Sequence, residues 1–273
     1  RGLGDVYKRQ TEGDHMAAAI TALEHEVQYA KELFATLRPE EWQSASMCEG
    51  WRVQDLVQHM AVVFQQIADS SSVDVGDSGH TETANEVPVQ ERRDWRVDQV
   101  VEAYDEWAPR GTAALAALQE PPMADMAVPI SDLGTHPLRL LGNAIVFDHY
   151  CHLRHDIPID RAAELPRDPA TLSAVLEWML AGLPQMCAEA LAAAPAQPVN
   201  LVFDGPGGGR FILAPGDDGW TVTEGTDADA PTVTTTVHDF VSWGTKRSDW
   251  RDSVSGDVDH HGVAAVLGAI NII

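Results

Sequence analysis

The chain has 273 residues, with 42 Asp plus Glu against 18 Lys plus Arg, a formal charge of -24. Acidity of this size, spread along the chain, repels phosphate backbones and anionic membrane surfaces, so nucleic acid is excluded as an expected partner. No apolar run reaches membrane-spanning length and no basic-then-apolar leader is present, which implies a cytoplasmic protein able to bury its own core.

Residues 1–15 fit neither a helix face nor a targeting signal and read as a non-native or disordered leader, with Met16 as the native start. From Met16 to Leu37, Ile20, Leu23, Val27, Ala30, Leu33 and Leu37 keep helical spacing. Pro39 ends that first helix. Gly50 marks a turn into a second helix, whose apolar face is Val53, Leu56, Val57, Met60, Val63, Phe64 and Ile67. His59 borders that face, and Asp55 one turn earlier is placed to orient its imidazole. Residues Ser70 to Glu91 read as a long mobile connection, with His80 facing solvent. A third helix spans about Val97 to Leu118, and Pro109 should kink or interrupt it. Pro121 to Gly134 reads as a loop in which Pro129 argues against an interior strand. Thr135 and Pro137 then suggest the start of a fourth helix, closed by Pro158.

In that fourth helix Leu138, Leu141, Ile145, Asp148, His152 and His155 fall at steps of three and four, forming one stripe. Its first half is aliphatic and its second half ionisable. A carboxylate and imidazoles continuing a core-facing stripe are costly to bury unpaired, and a divalent metal is the economical partner. The competing reading is a wet helix end, with Asp148 paired to Arg154 or to another chain segment. His59 on the second helix changes the balance, because a His and an Asp-xxx-His on facing helices supply three ligands and leave an open coordination position. His149 and His155 are alternate ligands. Cys48, Cys151 and Cys187 have no paired spacing and read as reduced thiols, with Cys151 a packed one.

A fifth helix is expected from Thr171 to about Ala194, followed by the clearest domain boundary, Ala192 to Pro198. Strands are expected at Val199–Phe203, Arg210–Leu213, Trp220–Thr223 and Thr232–Val237, with short helices near His238–Gly244 and His260–Ile270. The glycine run 205–209 lacks the Lys-Ser/Thr of a phosphate loop and reads as a hairpin turn.

Cys48-Glu-Gly-Trp51-Arg-Val53-Gln-Asp55-Leu56-Val57-Gln-His59 resembles the Gly-Trp-x-Val-x-Asp-Leu-x-x-His motif of the mycothiol-dependent maleylpyruvate isomerase family, within the DinB-like metal-binding superfamily. Asp148-xxx-His152 stands where that family has Glu-xxx-His, one methylene shorter. The resemblance implies an N-terminal all-α DinB-like four-helix bundle over 16–194, with an additional helix, and a small C-terminal α+β sterol-carrier-like domain over 199–273. It implies a divalent metal, zinc, held by His59, Asp148 and His152. It also implies mycothiol as thiol cosubstrate, and an isomerase or thiol S-transferase acting on a small electrophile such as a maleylpyruvate-like cis-enoate. In the family an Arg of the C-terminal domain helps bind the substrate carboxylate, for which Arg210, Arg247 and Arg251 are candidates. The alternatives are a non-catalytic small-molecule or lipid-binding protein, and a DinB-like metal-dependent hydrolase.

Overall fold

The computed structural model describes the backbone of residues 3–74 and 79–272, and side chains from residue 18 onward within those spans except residue 82. It divides into two compact units, residues 1–166 and 167–273. The first is helical and the second contains a sheet.

The N-terminal unit begins with α1 (Leu3–Phe34) and a short α2 (Pro39–Trp42), then α3 (Val53–Ala68), α4 (Thr81–Glu91) and α5 (Val97–Ala117). A two-stranded ribbon, β1 (Ala127–Pro129) with β2 (Thr135–Pro137), precedes α6 (Leu141–Cys151). A π-helical turn (His152–Asp156) continues α6 directly, and α7 (Asp160–Ala163) follows. The expected leader falls on positions whose side chains lie outside the described residues, although the backbone of α1 extends through 3–15.

The helices pack because each presents an apolar stripe. On α3 that stripe is Val53, Leu56, Val57, Met60 and Phe64, all fully buried. It lies close against α5, where a Cβ at Gly111 would sit 2.4 Å from Phe64 Cδ1 and 3.0 Å from its Cα. Only glycine allows that approach. The same packing explains why Pro109 does not interrupt α5, one of the two effects expected of it. Tyr104, Ala108 and Leu115 are completely buried on either side of it, and that burial offsets one missing backbone hydrogen bond.

Two other expectations are corrected here. The connection from Ser70 to Glu91 contains α4, anchored where Thr81 N–H and Oγ1–H both donate to Asp132 (3.0 and 2.6 Å). His80 is exposed as expected and faces the same carboxylate at 3.4 Å. Thr135 to Pro137 form a strand rather than a helix start. Pro129 is tolerated opposite Thr135 because a two-stranded ribbon has only edge strands.

The C-terminal unit opens with α8 (Pro169–Met186) and α9 (Ala188–Ala192), one expected helix broken at Cys187. Strands β3 (Val199–Asp204), β4 (Gly209–Gly216), β5 (Gly219–Glu224), β6 (Thr232–Thr236) and β7 (Ser255–Gly256) form a sheet of order β5-β4-β3-β6-β7. Helices α10 (Val237–Gly244) and α11 (Val263–Ala269) complete it. Pairing is antiparallel except between β3 and β6. The division precedes α8, which therefore groups with the sheet, whereas the composition pointed to a boundary after Ala192.

Central strand β3 buries Val199, Leu201, Val202 and Phe203. Asn200, also buried, is satisfied by the 227–232 segment through Asp227 N–H and O, Ala230 O and Thr232 Oγ1. The glycine run is the β3–β4 hairpin turn. A Cβ at Gly208 would strike Phe203 O at 1.9 Å, and one at Gly207 would strike Leu172 Cβ of α8 at 2.6 Å. Close backbone approach therefore accounts for the glycines without a phosphate.

Candidate metal centre

Two elements of the N-terminal unit converge. His59 projects from the middle of α3, Asp148 from near the end of α6, and His152 one turn later from the start of the π turn that continues it. His59 Nε2 and His152 Nε2 each lie 3.3 Å from Asp148 Oδ1. The imidazoles meet edge to face, with centroids 5.2 Å apart at 88°. One ligand atom from each of the three residues falls within 4.8 Å of the others. For ligand bonds of about 2.0–2.2 Å around a tetrahedral zinc, neighbouring ligand atoms stand roughly 3.3–3.5 Å apart. Both nitrogen-to-oxygen separations fit that value.

Hydrogen-bond roles sharpen the chemistry. His149 Nδ1 lies 3.1 Å from Ile145 O, which can only accept, so Nδ1 carries the proton. Nε2 then accepts from Tyr104 O–H at 3.1 Å. Burial pushes the Tyr104 hydroxyl well above its ordinary range, so it keeps the proton it donates. With both ring nitrogens committed, His149 is a wall of the site rather than a ligand. Asp148 Oδ2 lies 3.5 Å from His149 Nδ1 but receives no well-formed hydrogen bond, and it is buried. A buried carboxylate oxygen in that state calls for positive charge.

His152 Nδ1 meets Asp156 Oδ2 at 2.7 Å. A proton shared along that bond leaves the Nε2 lone pair aimed at Asp148, the arrangement of a carboxylate–histidine–metal relay. Burial alone would raise the Asp148 carboxyl. The His152 charge and polar contacts from His149, His152 and His59 outweigh that and hold it well below the usual carboxylate range. Burial alone would lower His152, but Asp148, Asp156 and Cys48 outweigh it and raise the imidazole well above normal. His59 is pushed down by burial, which Asp148 only partly opposes. The cluster thus holds a carboxylate that demands a cation, supplied by a proton on His152 or by a metal. The side chain of His59 is 4% exposed, and those of His152 and Asp148 are 13% and 21%, so the centre is nearly sealed but reachable on one side.

The Arg154 pairing of the wet-helix-end alternative is not what forms. Arg154 pairs with Glu26 of α1, both side chains completely buried, and Asp148 is left to the histidines. Asp55 does not orient His59. It accepts from Arg52 N–H (2.9 Å) and the Arg52 guanidinium, capping α3, and Arg93 stands 3.8 Å away. His59 instead packs against the Trp51 ring, 5.2 Å between centroids, and Trp51 Nε1–H donates to Glu86 of α4 at 2.6 Å. His155 stands outside the cluster, its ring 6.2 Å from that of Tyr150. The π turn is the reason: Ile157 N–H reaches back five residues to His152 O, and the wider turn places residue i+4, not i+3, beneath residue i. Asp156 therefore takes the place expected of His155. Its signal was available as the i, i+4 spacing from His152. Cys48 was read as an isolated reduced thiol and as part of a motif, yet it forms a second group with His152 and Asp156, all within 4.8 Å. Cys151 is a buried thiol, as read.

Arg210, Arg247 and Arg251 all lie in the C-terminal unit and are exposed. Arg210 is on β4, and Arg251 is bound to Asp249 at 3.1 Å and stacked on Trp250 at 4.4 Å.

No curated protein matches the sequence significantly. Among solved structures, the mycothiol-dependent maleylpyruvate isomerase matches with a TM-score of 0.56 at 14% identity, over 89% of this chain and 93% of that one. A histidine-to-alanine mutant of the mycothiol-dependent maleylpyruvate isomerase matches over the same shares with a TM-score of 0.55 at 13% identity. Identity this low shows a shared fold. Residues 23–153, which contain all three converging side chains, match the family model of the mycothiol maleylpyruvate isomerase N-terminal domain. It is over these residues that the chain is similar to the mycothiol maleylpyruvate isomerase N-terminal domain family.

Proposed function

We propose that this chain is a metal-dependent, mycothiol-using isomerase or thiol S-transferase acting on a small electrophile, with a maleylpyruvate-like cis-enoate as one substrate class. The observation that carries the reading is the convergence of His59, Asp148 and His152, with each imidazole nitrogen 3.3 Å from Asp148 Oδ1. A divalent cation such as zinc, when bound, supplies a positive charge that lowers the pKa of a cosubstrate thiol toward neutrality. The four-helix, DinB-like reading of the N-terminal unit belongs to this proposal, since such bundles build metal sites from facing helices. So does the sterol-carrier-like reading of the C-terminal unit.

The chain's own residues have separate tasks. His59, Asp148 and His152 would hold the ion. Asp156 orients His152 through its Nδ1 proton, and Tyr104 with His149 closes the inner wall. Trp51 covers His59 and keeps water from that side. The chemistry the ion would supply is a cosubstrate thiolate, which would add to an activated cis double bond, permit rotation about the resulting single bond, and leave to give the trans product. Asp148 is one methylene shorter than glutamate, and a carboxylate of either length is an ordinary ligand for zinc.

The test is metal content of the purified full chain, with His59→Ala and His152→Ala beside it. One ion per chain in the parent, lost in both variants, is the expected result. Stoichiometric metal unaffected by either change refutes the centre. Activity that persists without any added thiol refutes the thiol-dependent reaction and favours activation of water at the same centre.

A further inference from the structure

The loop entering α3 carries a thiol to the edge of the centre and is fixed there by backbone bonds. Met47 N–H donates to Asp156 O at 2.9 Å, and Ser46 N–H to Trp51 O at 2.9 Å. Cys48 N–H donates to Ser46 Oγ at 3.1 Å, and Trp51 N–H to Cys48 O at 3.1 Å. Gly50, at φ +79°, supplies the left-handed residue that closes the turn. The thiol is thereby pinned to the π turn. Its sulfur, a His152 nitrogen and an Asp156 oxygen lie within 4.8 Å of one another.

We propose that Cys48, His152 and Asp156 form a second cation position, contiguous with the first, that takes a thiophilic divalent ion and shares His152 with the His59/Asp148/His152 position. This rests on the metal reading of the same centre. The donor sets differ in kind: two imidazoles and a carboxylate in one, and a thiolate, an imidazole and a carboxylate in the other. Softer ions therefore favour the Cys48 side, and borderline or harder ions the His59 side.

His152 makes the two positions alternatives. Its Nδ1 faces Asp156 at 2.7 Å and its Nε2 faces Asp148 at 3.3 Å. A neutral imidazole has one lone pair, so at neutral pH it serves one ion at a time. A thiophilic ion on the Cys48 side draws His152 out of the first set and breaks the Asp156 bond that orients it.

The experiment titrates the metal-stripped full chain with cadmium chloride and, separately, cobalt chloride, alongside Cys48→Ser and His59→Ala. The expected result with cadmium is thiolate-to-metal charge-transfer absorption that saturates at one ion per chain. It is lost in Cys48→Ser and kept in His59→Ala. Absence of that absorption in the parent, or its persistence in Cys48→Ser through Cys151 or Cys187, overturns the proposal. Saturation at two ions overturns the shared imidazole. Cobalt ligand-field bands that vanish in His59→Ala, with no thiolate absorption from either metal, overturn the Cys48 position and leave the first centre standing. Failure of both metals to bind overturns both.

Discussion

Replacing Glu26 by Gln removes one charge from an ion pair sealed on both sides, and it tests whether α1 holds the metal-centre turn in place. Glu26 on α1 meets Arg154 inside the π turn, with both side chains at 0% exposure and a second contact of 3.0 Å. Arg154 also donates to Pro166 O and lies 4.2 Å over the Tyr150 ring, so the guanidinium is enclosed by specific partners. Glu26→Gln keeps shape but leaves that cation unpaired, which costs about 3–5 kcal/mol. For a unit of this size about 2–4 °C of Tm follows each kcal/mol, so the N-terminal transition should fall by roughly 6–20 °C in calorimetry. The double change Glu26→Gln with Arg154→Met removes both charges and should recover most of the loss. Because Arg154 lies between His152 and Asp156 in sequence, metal affinity should fall with stability in the single variant and partly return in the double one. A shift in Glu26→Gln equivalent to less than about 1 kcal/mol would refute the argument, since surface pairs are worth that much.

Gly111→Ala should lose about 1–3 kcal/mol in denaturant titration despite alanine's better helix propensity, because its Cβ meets Phe64 at 2.4 Å. Gly268→Ala, with nothing within 4 Å, should be neutral or gain up to about 1 kcal/mol, and equal effects at both positions would contradict the packing account. Asp156→Asn should weaken zinc binding by about 10- to 100-fold without abolishing it, read by competition with a chelator. Unchanged affinity would show that the Asp156–His152 bond does not tune the ligand. Burial would raise the Asp55 carboxyl, but hydrogen bonds and charge from Arg52, with help from Arg93, hold it below its ordinary value. Its contribution is thus complete above the unfolded pKa of about 3.9 and is lost as pH falls through the lower folded value. Asp55→Asn should lower stability at neutral pH and flatten the acid limb of the stability profile, and an acid limb identical to the parent's would count against this cap.

Periodicity alone located α3, α5, α6 and α8, because an apolar stripe records which face is buried. It placed His59 beside one such stripe and Asp148 with His152 along another. Turn chemistry was equally local, so the glycine run read correctly as a hairpin from its composition. Other features depend on partners far away in the chain. Pro109 stays inside α5 because α3 packs on it, and α4 forms in a polar stretch that Asp132 anchors 51 residues away. His155 and Asp156 exchanged roles because one π turn, locked by the Glu26–Arg154 pair, changed the angular step that a uniform helix assumes. Cys48 became a candidate donor only once a backbone bond from Met47 tied its loop to Asp156. Residue types and short-range spacing therefore specified the elements and the ligand chemistry. Which side chains share one point was decided by tertiary packing, since a side chain's direction depends on helix register and on neighbours that no local window contains.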